Sequence, residues 1–350
     1  MRIVSLEQRP YRLQFQVPLR TARGPIATRE GHILTLEDDS GRHGHGEICP
    51  WTGFGSHDEA VISAGLEAFN QRPESLLGTQ FENPEQTRRW VADTDWPIEI
   101  RSAIETALLS LMAQRAERSL AGLLASEPAD SVPVHTLVSD AEEAPLHAHA
   151  IKVKVGYDLE SDVQRVKRIR ARIGPQVPLR LDANGAWSFA EARNALPRFA
   201  EIGVEFVEQP LPRGPVEELV RLRELSPIPV AADESLCDPG ALEALLDARA
   251  IDVAVLKPAF LGGPLACYAL AKQAQKRGLR TIVTHALGSV VERSAALHVA
   301  AALRCESPCG LGHPFGEDLG PAFQVVGGRA YLPKASGLGV RLDHERIKAS

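Results

Sequence analysis

The sequence has no surplus of positive charge. Its 39 lysines and arginines stand against 45 aspartates and glutamates, a net charge of -6 at pH 7. It holds no basic patch, so neither nucleic acid nor an anionic membrane is an expected partner. Long apolar runs are missing as well. The opening MRIVSLEQRPYRLQ is charged every few residues and does not read as a signal peptide. The most apolar later stretch is broken by Glu292 and Arg293, far short of a membrane span. Nor is there a disulfide framework: Cys49, Cys237, Cys267, Cys305 and Cys309 are odd in number and scattered, and reduced thiols suit a cytoplasmic location. Cys305, Cys309 and His313 lack the second ligand pair of a zinc cluster. FLGG (Gly262, Gly263) lacks the lysine of a phosphate-binding loop and reads as a turn.

What is present is an alternation of strands and helices. With 350 residues, 44% of them hydrophobic, the chain is ordinary for a globular protein and longer than one barrel needs, so a second, smaller domain is expected. Residues 1–125 read as an α+β cap. Up to about Ala60 the pattern alternates, in YRLQFQV and in HILTLEDDSGRHGHGEI, where DDSG reads as a hairpin turn. Beyond it, HDEAVISAGLEAF and EIRSAIETALLSLMAQRAERSLAGLL carry apolar residues at helical spacing. SEPADSVP, Ser126 to Pro133, is rich in turn residues and reads as a linker. From there to residue 319, strand-like runs recur at intervals of about 25 residues with amphipathic helices between them. They begin VPVHTLV, IKVKV, PLRLDA, VEFVE, IPVAA, DVAVL, RTIVT and CGLG. Eight starts favour a closed α/β barrel over an open sheet. Residues 320–350 return to loop and short strand and are expected to pack back on the cap.

Charges stand at the ends of five of these strands in succession. Lys154 ends the second, Asp182 the third, Glu208 the fourth, Asp233 the fifth and Lys257 the sixth. Each has an ordinary reading on its own: a KxK pair is usually a solvated strand face, and a single acid is usually a cap or loop residue. The series changes that, because a parallel barrel converges the carboxyl ends of its strands on one cavity. Carboxylates meeting there repel and lose hydration, so they bind protons or a hard cation. Oxygen-only ligation favours Mg²⁺, with Mn²⁺ as the second choice. Strands two and six face each other in a ring of eight, which sets Lys154 and Lys257 across the metal from one another. Burial beside another cation lowers a lysine, and a fall from about 10.4 to about 7 or 8 corresponds to roughly 4 kcal/mol of differential interaction.

These residues carry a resemblance to the enolase superfamily, in its muconate lactonising group, over nearly the whole chain. The resemblance implies a modified TIM-like (β/α)7β barrel with an α+β capping domain, Asp182, Glu208 and Asp233 as Mg²⁺ ligands, Lys154 as the proton-abstracting base and Lys257 as the opposing lysine. Lys152, Arg180, Asn184 and Glu234 fall at supporting positions. Within the group, the run PLRTARGPIATREGHILTLEDDSGRHGHGEICPWTGFGSHDEA and the segments THALGS and CGLGHPFGEDLG are similar to the o-succinylbenzoate synthases. That likeness marks Arg20, Thr21, His285, Gly288, Ser289 and Gly312 as substrate-pocket candidates. Three positions depart from the synthase pattern: Gly288 stands where glutamate is common, Glu292 where glycine is usual, and His285 in place of a serine.

The resemblance implies a small-molecule carboxylate as substrate. The expected reaction is Mg²⁺-dependent dehydration of 2-succinyl-6-hydroxy-2,4-cyclohexadiene-1-carboxylate to 2-succinylbenzoate, toward menaquinone. Its alternative is an N-acylamino-acid racemase or dipeptide epimerase, since two lysines on opposite faces of a carbon suit racemisation. From another class, a catalytically silent barrel serving as a binding or scaffold protein would need neither lysine. The sequence leaves open whether the protein forms a homo-oligomer.

Overall fold

The computed structural model describes residues 1–21, 24–51, 57–71, 75–238 and 240–348. It opens on an antiparallel sheet in which β1 (Ile3–Thr21) pairs with β2 (Gly24–Asp38) and β2 with β3 (His43–Ile48). The DDSG turn forms as read: Asp38 Oδ1 accepts from the amides of Ser40 (2.9 Å) and Arg42 (3.1 Å), and Gly41 takes a φ of 77°. Four helices follow, α1 (Glu59–Gln71), α2 (Pro84–Ala92), α3 (Ile98–Arg115) and α4 (Leu120–Leu124). Asn83 caps α2 through the Gln86 amide, with Pro84 in the first turn, where its missing N–H costs nothing. Between residues 99 and 113, α3 is buried on nearly every side. Gly44 and Gly46 let β3 press against its backbone, for a Cβ at either position would run into the carbonyl oxygen of Ala107 or Ala103.

Beyond β4 (Ser131–Pro133), seven parallel strands stand side by side in chain order. They are β5 (Thr136–Val138), β6 (Ile151–Lys154), β7 (Leu179–Asp182), β8 (Phe206–Glu208), β9 (Val230–Ala232), β10 (Val253–Leu256) and β11 (Arg280–Val283). The CGLG segment closes the ring. Cys309 exchanges backbone hydrogen bonds with Pro133 and His135 on one side, and Gly310 with Val283 and His285 on the other. Strands β7 to β10 are buried at every residue, as a parallel sheet covered on both faces requires. Phe206, Ala231, Val253, Val255 and Ile282 cluster inside the ring.

The helices α5 (Leu159–Ile173), α6 (Phe189–Ala200), α7 (Val216–Leu225), α8 (Ala241–Asp247), α9 (Pro264–Lys276) and α10 (Val290–Ala302) cover it outside. Their starts are legible locally: Asp158 caps α5, and Ser188 with Glu191 forms a full capping box on α6. The first crossover is slighter. It carries a single 3₁₀ turn, Ala141–Glu143, because Pro145 follows at once and no apolar repeat spans the segment.

The linker is more structured than its turn residues suggest. Its last three residues are β4, which pairs with β13 (Arg329–Tyr331), itself joined to β12 (Val325–Val326). The chain then runs back to the cap, where Gly337 hydrogen-bonds Arg118 and Leu120, and ends in α11 (His344–Lys348).

A buried carboxyl helps to dock α3 on the barrel. Glu105, buried on α3, accepts from the amides of Leu265 (2.8 Å) and Ala266 (3.4 Å) at the start of α9. FLGG is the turn expected, with φ of 89° at Gly262 and 119° at Gly263, and a Cβ on Gly263 would overlap the Glu105 carboxylate. The group that takes up the free amides of this helix start therefore belongs to the chain itself. Burial pushes Glu105 from its ordinary 4.5 up to about 8, against the pull of the two amides. A carboxyl with a raised native value binds its proton more tightly when folded, so its contribution to stability is complete below about pH 4 and shrinks as the pH rises toward 8. Glu105→Gln should flatten part of the alkaline fall of Tm across that range. Identical slopes for the two proteins would mean that Glu105 is ionised in the native state throughout.

Candidate active site

Strand alternation aims the first charges. On β6, Ile151 and Val153 are buried in the cluster between strands and helices, which turns Lys152 and Lys154 into the ring. Register sets the next: Lys154 lies opposite Asp182, and Asp182 opposite Glu208. Asp233 and Lys257 directly follow β9 and β10. Lys152 Nζ bridges Asp182 Oδ2 (2.8 Å) and Glu208 Oε1 (2.6 Å), while Lys257 Nζ pairs with Asp233 Oδ2 (2.7 Å). Asn184 donates its side-chain N–H to Glu234 Oε1 (3.0 Å), and its own amide is held by Asp182 Oδ1 (3.0 Å).

The shared cavity drives these groups apart in acidity. Burial lowers Lys154, and the charges of Lys152 and Lys257 add to it, against the pull of Asp182. Burial would lower Lys152 and Lys257 too, but the carboxylates beside them win and both lie above the ordinary lysine value. For Asp182 burial is outweighed by Lys152 and Lys154, and its carboxyl is lowered. Glu208 is pushed up to about 8 and Glu234 to about 7, first by burial, with Asp233 and Asp182 adding to it. One site thus holds a lysine disposed to lose its proton and another disposed to keep it.

Among the described residues, no three His, Cys, Asp or Glu side chains already stand together as metal ligands do. Ion pairs draw the carboxylates to the lysines instead. The donor set nevertheless fits a hard cation. It is all oxygen, it is buried, and no described donor reaches Asp233 Oδ1 or Glu234 Oε2. A buried carboxylate oxygen without a partner is costly, and a cation there would satisfy it.

The family model described as enolase C-terminal domain-like matches residues 136–346. The chain belongs to the enolase superfamily. Its relatives include a hydrophobic dipeptide epimerase of Enterococcus faecalis, 28% identical over 97% of this chain and 99% of the relative. A chloromuconate cycloisomerase of Pseudomonas sp. strain P51 is 30% identical over 97% and 94%. Among solved structures, the dipeptide epimerase of Cytophaga hutchinsonii, complexed with Mg and the dipeptide D-Ala-L-Val, has a TM-score of 0.88. It is 25% identical, covering 100% of this chain and 98% of that one. These place the chain in the muconate lactonising group of the superfamily, most of whose compared members carry isomerase names.

Some expected site residues of this superfamily member stand elsewhere. Arg180 lies below the carboxylates, opposite Phe206, donating to Glu205 (2.7 Å) and the Pro308 carbonyl (2.6 Å), and so braces the barrel floor. Ser289 is not on an open pocket wall: its hydroxyl donates to Glu47 Oε2 (2.5 Å) and it is fully buried. Gly288 faces Glu47 and Glu292 rather than open space. His285 is at the mouth, where burial and then Arg293 and Lys257 lower it to about 3, and its ring hydrogen-bonds the Leu287 amide (3.0 Å) and the Gly312 backbone. Gly312 is exposed. The side chains of Arg20 and Thr21 lie outside the described residues, as do residues 52–56 of the GFG segment.

Gln209 was missed from sequence. Its Oε1 accepts from the amides of Asp233 and Ser235 (both 3.1 Å), which shapes the turn carrying Asp233. The signal was its place next to Glu208. Asn184, Gln209 and Leu287 hold φ of 44°, 42° and 56°, so backbone strain gathers at the carboxyl ends of the strands.

Proposed function

We propose that this protein is a Mg²⁺-dependent isomerase that inverts the carbon α to a carboxylate, acting on an N-acylamino acid or a dipeptide. The observation that carries it is the pair of inward lysines, on strands four apart in a ring of eight, with opposite acidities. Lys154, lowered, takes the α proton from one face as a neutral amine. Lys257, raised and held by Asp233, offers an ammonium proton to the other face. Proton removal and return on opposite faces leave the composition unchanged and the configuration inverted.

Asp182, Glu208 and Asp233 would hold Mg²⁺, or Mn²⁺, which when bound supplies positive charge for the substrate carboxylate. Lys152 keeps two of those carboxylates in place, and Asn184 holds Glu234 beside them. Dehydration to 2-succinylbenzoate needs one lysine as base and then acid. It takes second place, because the compared relatives are named as epimerases and cycloisomerases.

The test is α-hydrogen exchange in D₂O with Mg²⁺, on N-acetylamino acids and dipeptides of either configuration, followed by proton NMR and optical rotation. Exchange with loss of configuration, abolished by EDTA, is the expected result. Aromatic product from the cyclohexadiene substrate, with no α-exchange in the panel, would move the assignment to the synthase.

A further inference from the structure

The turn that follows β11, residues 285–289, is held from the cap. Arg29, buried on β2, donates to the carbonyls of Leu287 (3.1 Å) and Ala286 (3.4 Å), and its other N–H groups go to Cys49 (2.5 Å) and Pro50. Its guanidinium stands 4.6 Å from the centre of the Trp51 ring. Glu47 on β3 accepts from Ser289 N (2.7 Å), Ser289 Oγ (2.5 Å), Glu292 N (3.0 Å) and the Tyr11 hydroxyl. Glu292, in the first turn of α10, accepts from the amides of Ala286 (3.0 Å) and Gly288 (3.3 Å).

Such a turn cannot relax. Leu287 is kept at a positive φ that a leucine resists, a strain that persists only where the surroundings over-determine it. Position 288 has no room for a side chain, since a Cβ there would stand 2.7 Å from both Glu292 Cβ and Glu47 Oε1. The aliphatic stem of Glu292 and the carboxyl of Glu47 fill that space. At its other end the turn adjoins the reacting groups: Thr284 N, next to His285, donates to the carbonyl of Leu256 (2.9 Å), the residue before Lys257.

We propose that Glu292 is a positioning residue: with Glu47 and Arg29 of the cap, it fixes turn 285–289 from behind, and so sets where His285, the turn's residue at the mouth, stands against the substrate's side chain. This rests on the isomerase reading above. Two buried carboxyls side by side, with one guanidinium nearby, cannot both ionise without cost. Burial and then Glu47 push Glu292 up to about 8, and the other groups facing the pair are Tyr11 on β1, Cys49 beside β3 and Glu99 on α3. Ionisation of Glu292 sets it against Glu47 across position 288, and that repulsion works against the two amide bonds that hold the turn.

Glu292→Ala and Glu292→Gln are compared with the wild type, as full chains with Mg²⁺, for α-exchange on N-acetylamino acids with small and large apolar side chains from pH 6 to 9.5. Glu292→Ala should lose about 10- to 100-fold in kcat/KM, mostly through KM, with the preference among side chains flattened. Glu292→Gln, which keeps an acceptor for one of the two amides, should recover part of that loss and lack the wild type's decline above about pH 8. Wild-type selectivity in the alanine variant, or an unchanged alkaline decline in the glutamine variant, overturns the proposal. Should the wild type exchange no α-hydrogen at all, the isomerase reading falls, and amide hydrogen exchange of residues 286–289 decides the clamp. Faster exchange in Glu292→Ala supports it, and unchanged protection overturns it.

Discussion

Lys154→Ala should lower racemisation by about 10³-fold, within the range that a positioned general base contributes, and yet leave one half of the chemistry running. With Lys154 gone, the reverse direction still asks Lys257 to take the α proton from the enantiomer that presents it to β10 and to return a deuteron to the same face, a step that Asp233 slows by holding the lysine as its ammonium. The variant is then expected to exchange one enantiomer in D₂O without inverting it. Lys257→Ala should show the mirror result, exchanging the other enantiomer only. The two variants differ in structural cost. Lys154→Ala leaves the Lys152 bridge between Asp182 and Glu208 and the Lys257 pair with Asp233 as they are, so its Tm should stay close to wild type. Lys257→Ala strips Asp233 of its ammonium and leaves a buried carboxylate to be met by metal alone. Its Tm should therefore depend more steeply on Mg²⁺. A folded Lys154→Ala enzyme that racemises at the wild-type rate would sink the assignment of the base. Loss of exchange for both enantiomers in Lys154→Ala, with both kept in Lys257→Ala, would show that one lysine serves both faces.

The five strand-end charges were legible because each depends on local facts. Alternation along IKVKV points both lysines one way, and the end of an apolar run marks the mouth of the ring, so Lys154, Asp182, Glu208, Asp233 and Lys257 could be found without a single tertiary contact. What those charges do to one another was not legible. Lys152 matches a supporting position in the sequence, and only side-chain reach shows that it bridges two carboxylates. Arg180 shares the inward face with Asp182, but two residues along a strand separate the floor of a barrel from its mouth, and the alternation is blind to that step.

Contacts across long stretches of chain were beyond reach for the same reason. Ser289 is a pocket candidate only through the likeness of THALGS to a synthase segment, which says nothing of what its hydroxyl meets. The carboxylate that takes its hydroxyl is Glu47, 242 residues earlier. Likewise SEPADSVP reads as a linker, since the partner that makes Ser131–Pro133 a strand is β13, near the other end of the chain. Turn chemistry, by contrast, is local, and both DDSG and FLGG formed where their residues placed them.

Gly46→Ala should destabilise the protein by about 3 kcal/mol, the upper range for overpacking, although the same change in an open strand would be mildly stabilising. Gly46 lies on β3 facing α3, and a Cβ there would fall on the carbonyl group of Ala103. That neighbour is helix backbone, so no rotamer change relieves the overlap. Either β3 lifts off α3 or the helix shifts, and α3 is packed on its other sides. The adjacent residue is Glu47. A strand displaced from α3 carries that carboxylate away from Ser289 and Glu292, so the loss of stability should come with a loss of kcat/KM in the same direction as Glu292→Ala. Gly316→Ala is the control, since its position has open space around it and should stay within about 0.5 kcal/mol of wild type. Denaturant unfolding of the two variants measures the difference. If Gly46→Ala is as stable as Gly316→Ala, the close approach of β3 and α3 does not exist in solution. If it is destabilised but keeps the wild-type preference among side chains, the cap holds the turn at 285–289 by Arg29 alone.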